Sequence, residues 1–181
     1  MITRRLKTDL ESGLDCDRDG RVDAARVQAA IDAASAEGGG RVVLEPGKWV
    51  CSTIFMRSHV ELHLARGCEL VADTDLAHYT PVLHHASNKD QSRCHLIVAA
   101  DVDNIALTGP GVIEGRGDAF WVPCNGEDDR PYGIFRFKMP GHTEERPTPL
   151  IELAHCRDVV VDAVTMLLSS RVRSRTWFAS G

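Results

Sequence analysis

The sequence predicts an all-β solenoid closed at its start by one capping helix. Three observations carry that reading. Strands of three to six residues follow one another with only two to four turn residues between them. Residues 96–109 can be laid over residues 150–163, strand on strand and break on break. Helical periodicity is confined to one segment near the start of the chain.

That segment is 24–36, Ala-Ala-Arg-Val-Gln-Ala-Ala-Ile-Asp-Ala-Ala-Ser-Ala. Alanine is dense, and Val27, Ala30, Ile31 and Ala34 fall at i, i+3, i+4 and i+7, one face of a helix. Asp23 stands where an N-cap would, and Gly38-Gly39-Gly40 ends the run. Beyond it the period changes. Arg41–Glu45 reads as a strand, Pro46-Gly47 as a turn, Lys48–Met56 as a second strand, and Arg57-Ser58 as a break. Val60–Leu64 alternates, with Val60, Leu62 and Leu64 on one face and His63 on the other. Arg66-Gly67 turns into the short strand Cys68–Val71. Parallel strands of a doubly wound sheet need a helix between them, so that class is excluded; sandwich, barrel and solenoid remain.

The repeat decides among them. Leu96–Gly109 and Leu150–Ala163 each read strand, polar break, strand, with breaks at Asp101–Asn104 and His155–Asp158. Gly111–Glu114 then lies over Thr165–Leu168, and Thr53–Val71 follows the rhythm more loosely. Each unit is one coil of a stack whose neighbours bury a shared core. Ile105-Ala106-Leu107 and Val159-Val160-Val161 suit strands buried on the inner face. The expected organisation is one partial domain over 1–181: coils at about 41–114 and 150–170, a polar loop at about 115–149 and an aberrant tail at 171–181. A loop of that length is functional or disordered.

Composition narrows the function classes. The 181 residues are 43% hydrophobic and 26% charged, an ordinary globular mixture. The net charge of -5 argues against a nucleic-acid partner. No apolar stretch reaches a membrane span, and no apolar region follows the basic start at Arg4-Arg5, so no membrane partner and a cytoplasmic location are expected. The six cysteines (Cys16, Cys51, Cys68, Cys94, Cys124, Cys156) form no C-x-x-C pair; reduced thiols, several of them core residues, are expected and no zinc. Asp15-x-Asp17-x-Asp19-Gly20-x-x-Asp23 imitates the opening of a calcium loop, but its twelfth position is Arg26 and no helix precedes it. It reads as a turn into the helix. With His84, His85 and His142 taken as solvated loop residues, no metal and no cofactor is expected.

An ordered set of segments resembles the N-terminal part of the polygalacturonases, glycoside hydrolase family 28. The set is the helix; Gly38–Gly47; Val60–Leu70; Asp73–Tyr79; Leu96–Gly109 with Gly111–Trp121; and Arg146–Thr165. It covers roughly residues 13–170. The resemblance implies a right-handed parallel β-helix of the pectin-lyase-like kind, incomplete at the C-terminus, and a pectin-type polysaccharide as partner. It also implies O-glycosyl hydrolysis with inversion, which needs carboxylates far enough apart to admit a water beside the sugar. The family's Asn-(Thr/Ser)-Asp, Asp-Asp, Gly-His-Gly and Arg-Ile-Lys motifs lie on later coils. Asp128-Asp129 and Gly141-His142-Thr143 come too early in the order, so no catalytic residue is carried over. Arg171, Arg173 and Arg175 fit no buried strand, and a frameshift or premature stop after about Ser170 is the expectation.

Three residues remain as sugar-contact candidates. Trp121 offers a flat apolar face for stacking, against the plainer role of packing its loop. Arg130 and Arg136 offer guanidinium forks for a uronate carboxylate, against the plainer role of solvated charges. The first functional reading is a truncated, inactive hydrolase fragment. The competing ones are a non-catalytic β-helical carbohydrate-binding module and a structural solenoid. A last coil without a cap would expose an apolar cross-section and invite self-association.

Overall fold

A strand that bonds only to the strands directly above and below it must be followed by a corner, and the corners organise this fold. A computed structural model describes residues 2–7, 20–82, 93–120, 147 and 149–167. Its elements run β1 (Ile2–Leu6), α1 (Gly20–Ala36), β2 (Gly40–Leu44), β3 (Gly47–Cys51), β4 (Ile54–Phe55), β5 (Val60–Leu64) and β6 (Cys68–Ala72). They continue with β7 (Ile97–Ala100), β8 (Asp103–Thr108), β9 (Val112–Glu114), β10 (Ile151–Ala154), β11 (Arg157–Asp162) and β12 (Thr165–Leu167). The strands form three sheets: β1-β2-β5-β8-β11 (sheet A), β3-β6-β9-β12 (sheet B) and β4-β7-β10 (sheet C). Each pairing is parallel. The chain is a right-handed parallel β-helix.

Like sits over like. On the inner side of sheet A, Val42, Leu62, Leu107 and Val161 form one column. Trp49, Leu70, Ile113 and Met166 form another in sheet B. Ile54, Ile97 and Ile151 form the third in sheet C. Val42, Leu62, Trp49, Leu70, Ile113 and Ile54 are fully buried in a single core cluster. Each such aliphatic side chain contributes about 1.5–3 kcal/mol by leaving water.

The αL residues explain the polar breaks. Asp101 and His155 have φ of 53° where sheet C hands over to sheet A. His59, Asn104 and Asp158, at 64°, 54° and 52°, recur at the entry to β5, β8 and β11. Asn and Asp tolerate this conformation because their short side chains bond locally. At the next corner, Gly109 has φ 100°, and a Cβ there would lie 2.2 Å from Leu64 O. Backbone proximity demands glycine at that point.

Helix α1 closes the first coil by the face its periodicity predicts. Val27, Ile31 and Ala34 are buried, with Ala30 packed against them. Its polar side chains also satisfy sheet edges. Gln28 Nε2 donates to Phe55 O at 3.0 Å, while Gln28 Oε1 accepts from Phe55 N at 2.7 Å, as a neighbouring strand would. Asp23 Oδ2 accepts from Val50 N at 3.2 Å, and the Arg26 guanidinium lies 5.5 Å from the Trp49 ring.

Several expectations are corrected. The helix begins at Gly20, not at 24, and Asp23 lies inside its first turn rather than at the cap, because its carboxylate is spent on the edge of β3. Residues 48–56 are two strands, because the coil must turn at Ser52-Thr53. Strand β1 pairs with β2 although Ile2–Leu6 shows little alternation; Arg4 pairs with Glu37, and Arg5 Nη1 reaches Glu45 Oε1 at 2.6 Å. The 96-over-150 alignment holds in Ile97–Ile151 and Leu107–Val161, but Thr165 pairs with Val112, not Gly111. The corner Gly109-Pro110-Gly111 is one residue longer than Ala163-Val164. The valines of β11 are not buried: Val160 is 53% exposed because it faces outward, and the inward Val161 is 42% exposed on the outermost described coil. Cys51 and Cys68 are core residues as expected, while Cys94 and Cys156 are only partly covered.

Leu62→Ala is expected to cost about 2–5 kcal/mol, against less than about 1 kcal/mol for Val160→Ala at its exposed site. Urea unfolding followed by circular dichroism checks this; equal costs would refute the inward and outward assignment. Burial, then the charge of Glu69, pushes the Cys68 thiol up to about 12. Cys68 is therefore expected to resist thiol reagents at mildly alkaline pH until the chain unfolds, as mass spectrometry of labelled peptides would show.

Candidate functional site

Two of the three corners stay short. Four residues, Met56–His59, join sheet C to sheet A in the first coil and two, Asp101-Val102 and His155-Cys156, in the next two, while two or three residues join sheet A to sheet B. The corner from sheet B to sheet C behaves differently. It is Ser52-Thr53 in the first coil, residues 73–96 in the second and 115–150 in the third. Two long excursions therefore leave the same corner on successive coils. A rigid scaffold that presents stacked loops at one place is where binding groups collect.

The described parts of this corner are closely bonded. Asp73 follows β6, its backbone N donating to Cys51 O at 2.9 Å. Asp73 Oδ1 accepts from Asp75 N at 3.0 Å, and Asp73 Oδ2 lies 2.6 Å from His78 Nδ1. His78 Nε2 lies 3.3 Å from Asp75 Oδ2. Asp75 caps the short 3-10 turn Leu76–His78 by accepting from Ala77 N at 2.9 Å. Tyr79 Oη donates to Asp73 O at 2.8 Å, and Thr80 N donates to Thr53 Oγ1 at 3.1 Å. Burial first, and then the Asp73 charge, push the Tyr79 hydroxyl well above its ordinary range. At the return of the first excursion Val82 N donates to Arg93 O at 2.8 Å. His95 is buried with Nδ1 2.8 Å from Pro149 O, which ties this excursion to the next.

The outer face of sheet B borders the same corner. Lys48, Glu69, Val112 and Thr165 form one outward row, and Val50, Val71, Glu114 and Leu167 the next. Val50 and Val71 are 3% exposed despite pointing away from the lumen, so this face is roofed in part. Glu69 and Glu114 are diagonal neighbours on adjacent parallel strands. Glu114 Oε1 accepts from Arg116 N at 2.9 Å, where the second excursion begins. On sheet C the outward Glu152 is 7% exposed.

A second polar cluster stands on the outer face of sheet A. Arg41 Nε donates to Glu61 Oε2 at 2.6 Å. Thr108 Oγ1 donates to Glu61 Oε1 at 2.5 Å and accepts from His63 Nδ1 at 2.8 Å. His63 faces outward, as alternation predicts. Glutamate, threonine and histidine lie together, but the hydroxyl proton points at the carboxylate and not at an imidazole lone pair, so the threonine is not primed as a nucleophile. Burial raises the Glu61 carboxyl. Bonds from Arg41 and Thr108, and the charges of Arg41 and His63, outweigh it and hold the group below its ordinary 4.5.

Trp121, Arg130 and Arg136 lie outside the described residues, as do His84, His85, His142, Asp128-Asp129, the tail 171–181 and Asp15–Asp19 of the calcium-like segment. All three sugar-contact candidates belong to the second excursion. Sequence reasoning missed Asp73, Asp75 and His78 as a cluster. The signal was there: Asp75-x-x-His78 just after a strand end. Among the described residues no group of three or more His, Cys, Asp or Glu side chains could hold a metal ion. No described helix is long and apolar enough to cross a membrane.

The comparisons agree with the fold and the resemblance. No family model matches the chain. A probable polygalacturonase from Vitis vinifera is 26% identical over 140 residues, which are 74% of this chain and 26% of that protein. A candidate glycosyl hydrolase from Parabacteroides merdae superposes with a TM-score of 0.59 at 27% identity, covering 78% of this chain and 57% of the other. A hyperthermoactive exopolygalacturonase from Thermotoga maritima gives a TM-score of 0.59 at 23% identity, covering 80% and 38%. The chain is thus polygalacturonase-like in sequence and fold, and it spans about a quarter of the length of the curated relative.

Stability should depend on pH through Glu61. Its folded carboxyl titrates below the unfolded one, so its contribution is complete above the ordinary glutamate range and is lost as pH falls through the lowered value. Glu61→Gln is expected to flatten the acid limb of an unfolding curve followed by circular dichroism. Identical acid limbs in the two proteins would show that the cluster does not matter to folding.

Proposed function

We propose that this chain is the part of a polygalacturonase-like glycoside hydrolase that supplies the first coils and two corner loops, and that it holds a pectin-type polysaccharide. One observation carries the reading: both long excursions leave a single corner of a fold shared with polygalacturonases. Trp121 stacks on a sugar face, and Arg130 and Arg136 pair with uronate carboxylates. The likeness to a polygalacturonase supports uronate as the charge those guanidinium groups meet. The whole is one partial β-helix unit.

The reaction of the parent enzyme is O-glycosyl hydrolysis with inversion, by aspartates beyond this chain. The chain as given binds without cleaving. In support, the nearest pair of outward carboxylates on sheet B is Glu69 and Glu114, and Glu114 is already engaged by Arg116 N. The chain also associates with a second copy through the apolar rim at Leu153 and Val160-Val161, which are 42–53% exposed.

Affinity electrophoresis in a pectin gel should retard the 181-residue chain. Trp121→Ala, or Arg130→Ala with Arg136→Ala, should weaken binding about tenfold, worth about 1.4 kcal/mol. Unretarded migration would sink the binding reading. A reducing-sugar assay on polygalacturonate should show no turnover. Turnover abolished by Glu114→Gln would overturn inactivity and place the chemistry on sheet B. Sizing should show concentration-dependent association that Val160→Lys reduces; a monomer at all concentrations would refute it.

A further inference from the structure

Both excursions return to the ladder at one column, and a buried histidine stands in it. Ile54, Ile97 and Ile151 share a register position. Two residues earlier on each coil come Ser52, His95 and Pro149. His95 is 3% exposed, and its Nδ1 lies 2.8 Å from Pro149 O. A carbonyl oxygen only accepts, so Nδ1 carries the proton and donates it.

The returning chain is poor in donors of its own. It comes back through Pro147, Thr148 and Pro149, and neither proline has an N–H. On the coil beneath, Leu96 N and Ile97 N are both spent on Leu150 O, at 2.9 and 3.1 Å. The Pro149 carbonyl takes its donor from the imidazole instead.

This tie sits where the two limbs of the second excursion meet. On the outgoing limb Gly115 N donates to Leu167 O at 2.7 Å, and a Cβ at Gly115 would lie 3.3 Å from Leu150 Cδ2. On the returning limb Leu150 follows Pro149 directly. The placement of Pro149 and Leu150 therefore sets the return and also the surface on which the departure packs.

We propose that His95 is a positioning residue: its Nδ1–H holds Pro149 and Leu150 at the root of the second excursion, and so sets the excursion that carries Trp121, Arg130 and Arg136 to the polysaccharide. The sugar half rests on the polysaccharide reading; the anchoring half does not.

Measurements on the 181-residue chain test both halves. In the wild type at mildly alkaline pH, nuclear magnetic resonance of ¹⁵N-labelled histidine should show the Nδ1–H form of the His95 ring; the Nε2–H form would overturn the proposal without any variant. His95→Leu removes the donor, whereas His95→Asn keeps an N–H at the place of Nδ1. Amide exchange at Ile97, held by Leu150 O, is compared with Asp101, whose N–H is held by Ala154 O at the other end of the same strand pair. Relative to Asp101, and corrected for intrinsic rates, exchange at Ile97 should rise about tenfold in His95→Leu and return to the wild-type rate in His95→Asn. Unchanged exchange in His95→Leu, or a rise that His95→Asn does not reverse, would overturn the anchoring. In a pectin gel His95→Leu should be held about tenfold more weakly than the wild type, and His95→Asn as tightly as the wild type. Equal retardation of the wild type and His95→Leu would overturn the sugar half. A wild type that is not retarded sinks the polysaccharide reading itself, and exchange at Ile97 then still decides whether His95 anchors the root.

Discussion

A parallel strand cannot satisfy its own backbone. Its N–H and C=O groups point along the solenoid axis, so each coil depends on the coil above and the coil below for its hydrogen bonds. From that dependence follow the columns of like residues, because a strand held in register places its inward side chains over those of its neighbour. It also requires that the first coil be finished by something that is not a coil. Helix α1 does this in two ways. Its apolar face seals the lumen under Trp49 and Ile54, and Asp23 and Gln28 stand in for a missing strand at Val50 and Phe55. Burying apolar area would not be enough if those edge amides were left unsatisfied, since each would cost roughly 1–3 kcal/mol.

The same dependence decides where the chain can lengthen. A corner that hands one strand directly to the next is pinned by the register on both sides, and αL residues such as Asp101 and His155 leave no slack. The sheet B to sheet C corner is different, because Ile54, Ile97 and Ile151 stay in one column whether two residues or more than thirty precede them. Loop closure grows only logarithmically with length, so such an insertion is cheap once the ladder on either side is secure. The described roots of the excursions on adjacent coils then lie side by side without further design. The contact of His95 with Pro149 O shows the two roots packed together.

Much of this was legible in the sequence, and the failures share one cause. Short strands, the repeat and the helix were visible because they are periodic, and periodicity is a property of neighbours along the chain. What stayed hidden belongs to neighbours across the axis. Ile2–Leu6 has too little alternation to read as a strand; it becomes one because β2 offers a ladder to join. Asp23 looks like an N-cap until the edge of β3 is placed beneath it. Val159-Val160-Val161 looks like a core strand, yet burial of Val161 depends on cover from above and not on the residue's own type. The corner at Pro110 shifted the last strand by one residue, which no column could reveal before the coils were stacked. The candidate site was read least well. Its location followed from loop length alone, but the partnership of Asp73, Asp75 and His78 needs the turn that Asp75 caps.

The two polar clusters show why location matters more than composition. Arg41, Glu61, Thr108 and His63 have the richer inventory, with an acid, a hydroxyl and an imidazole in contact. Yet they lie along a regular ladder, each on a strand fixed by its neighbours, and the network consumes its own donors and acceptors. Little is left to offer a ligand. The Asp73–His78–Asp75 cluster is poorer, but it stands at the root of an excursion, off the ladder. In a solenoid the flat faces store stability and the permissive corner is free to carry function. A polar group therefore has to be judged by whether its backbone belongs to the ladder.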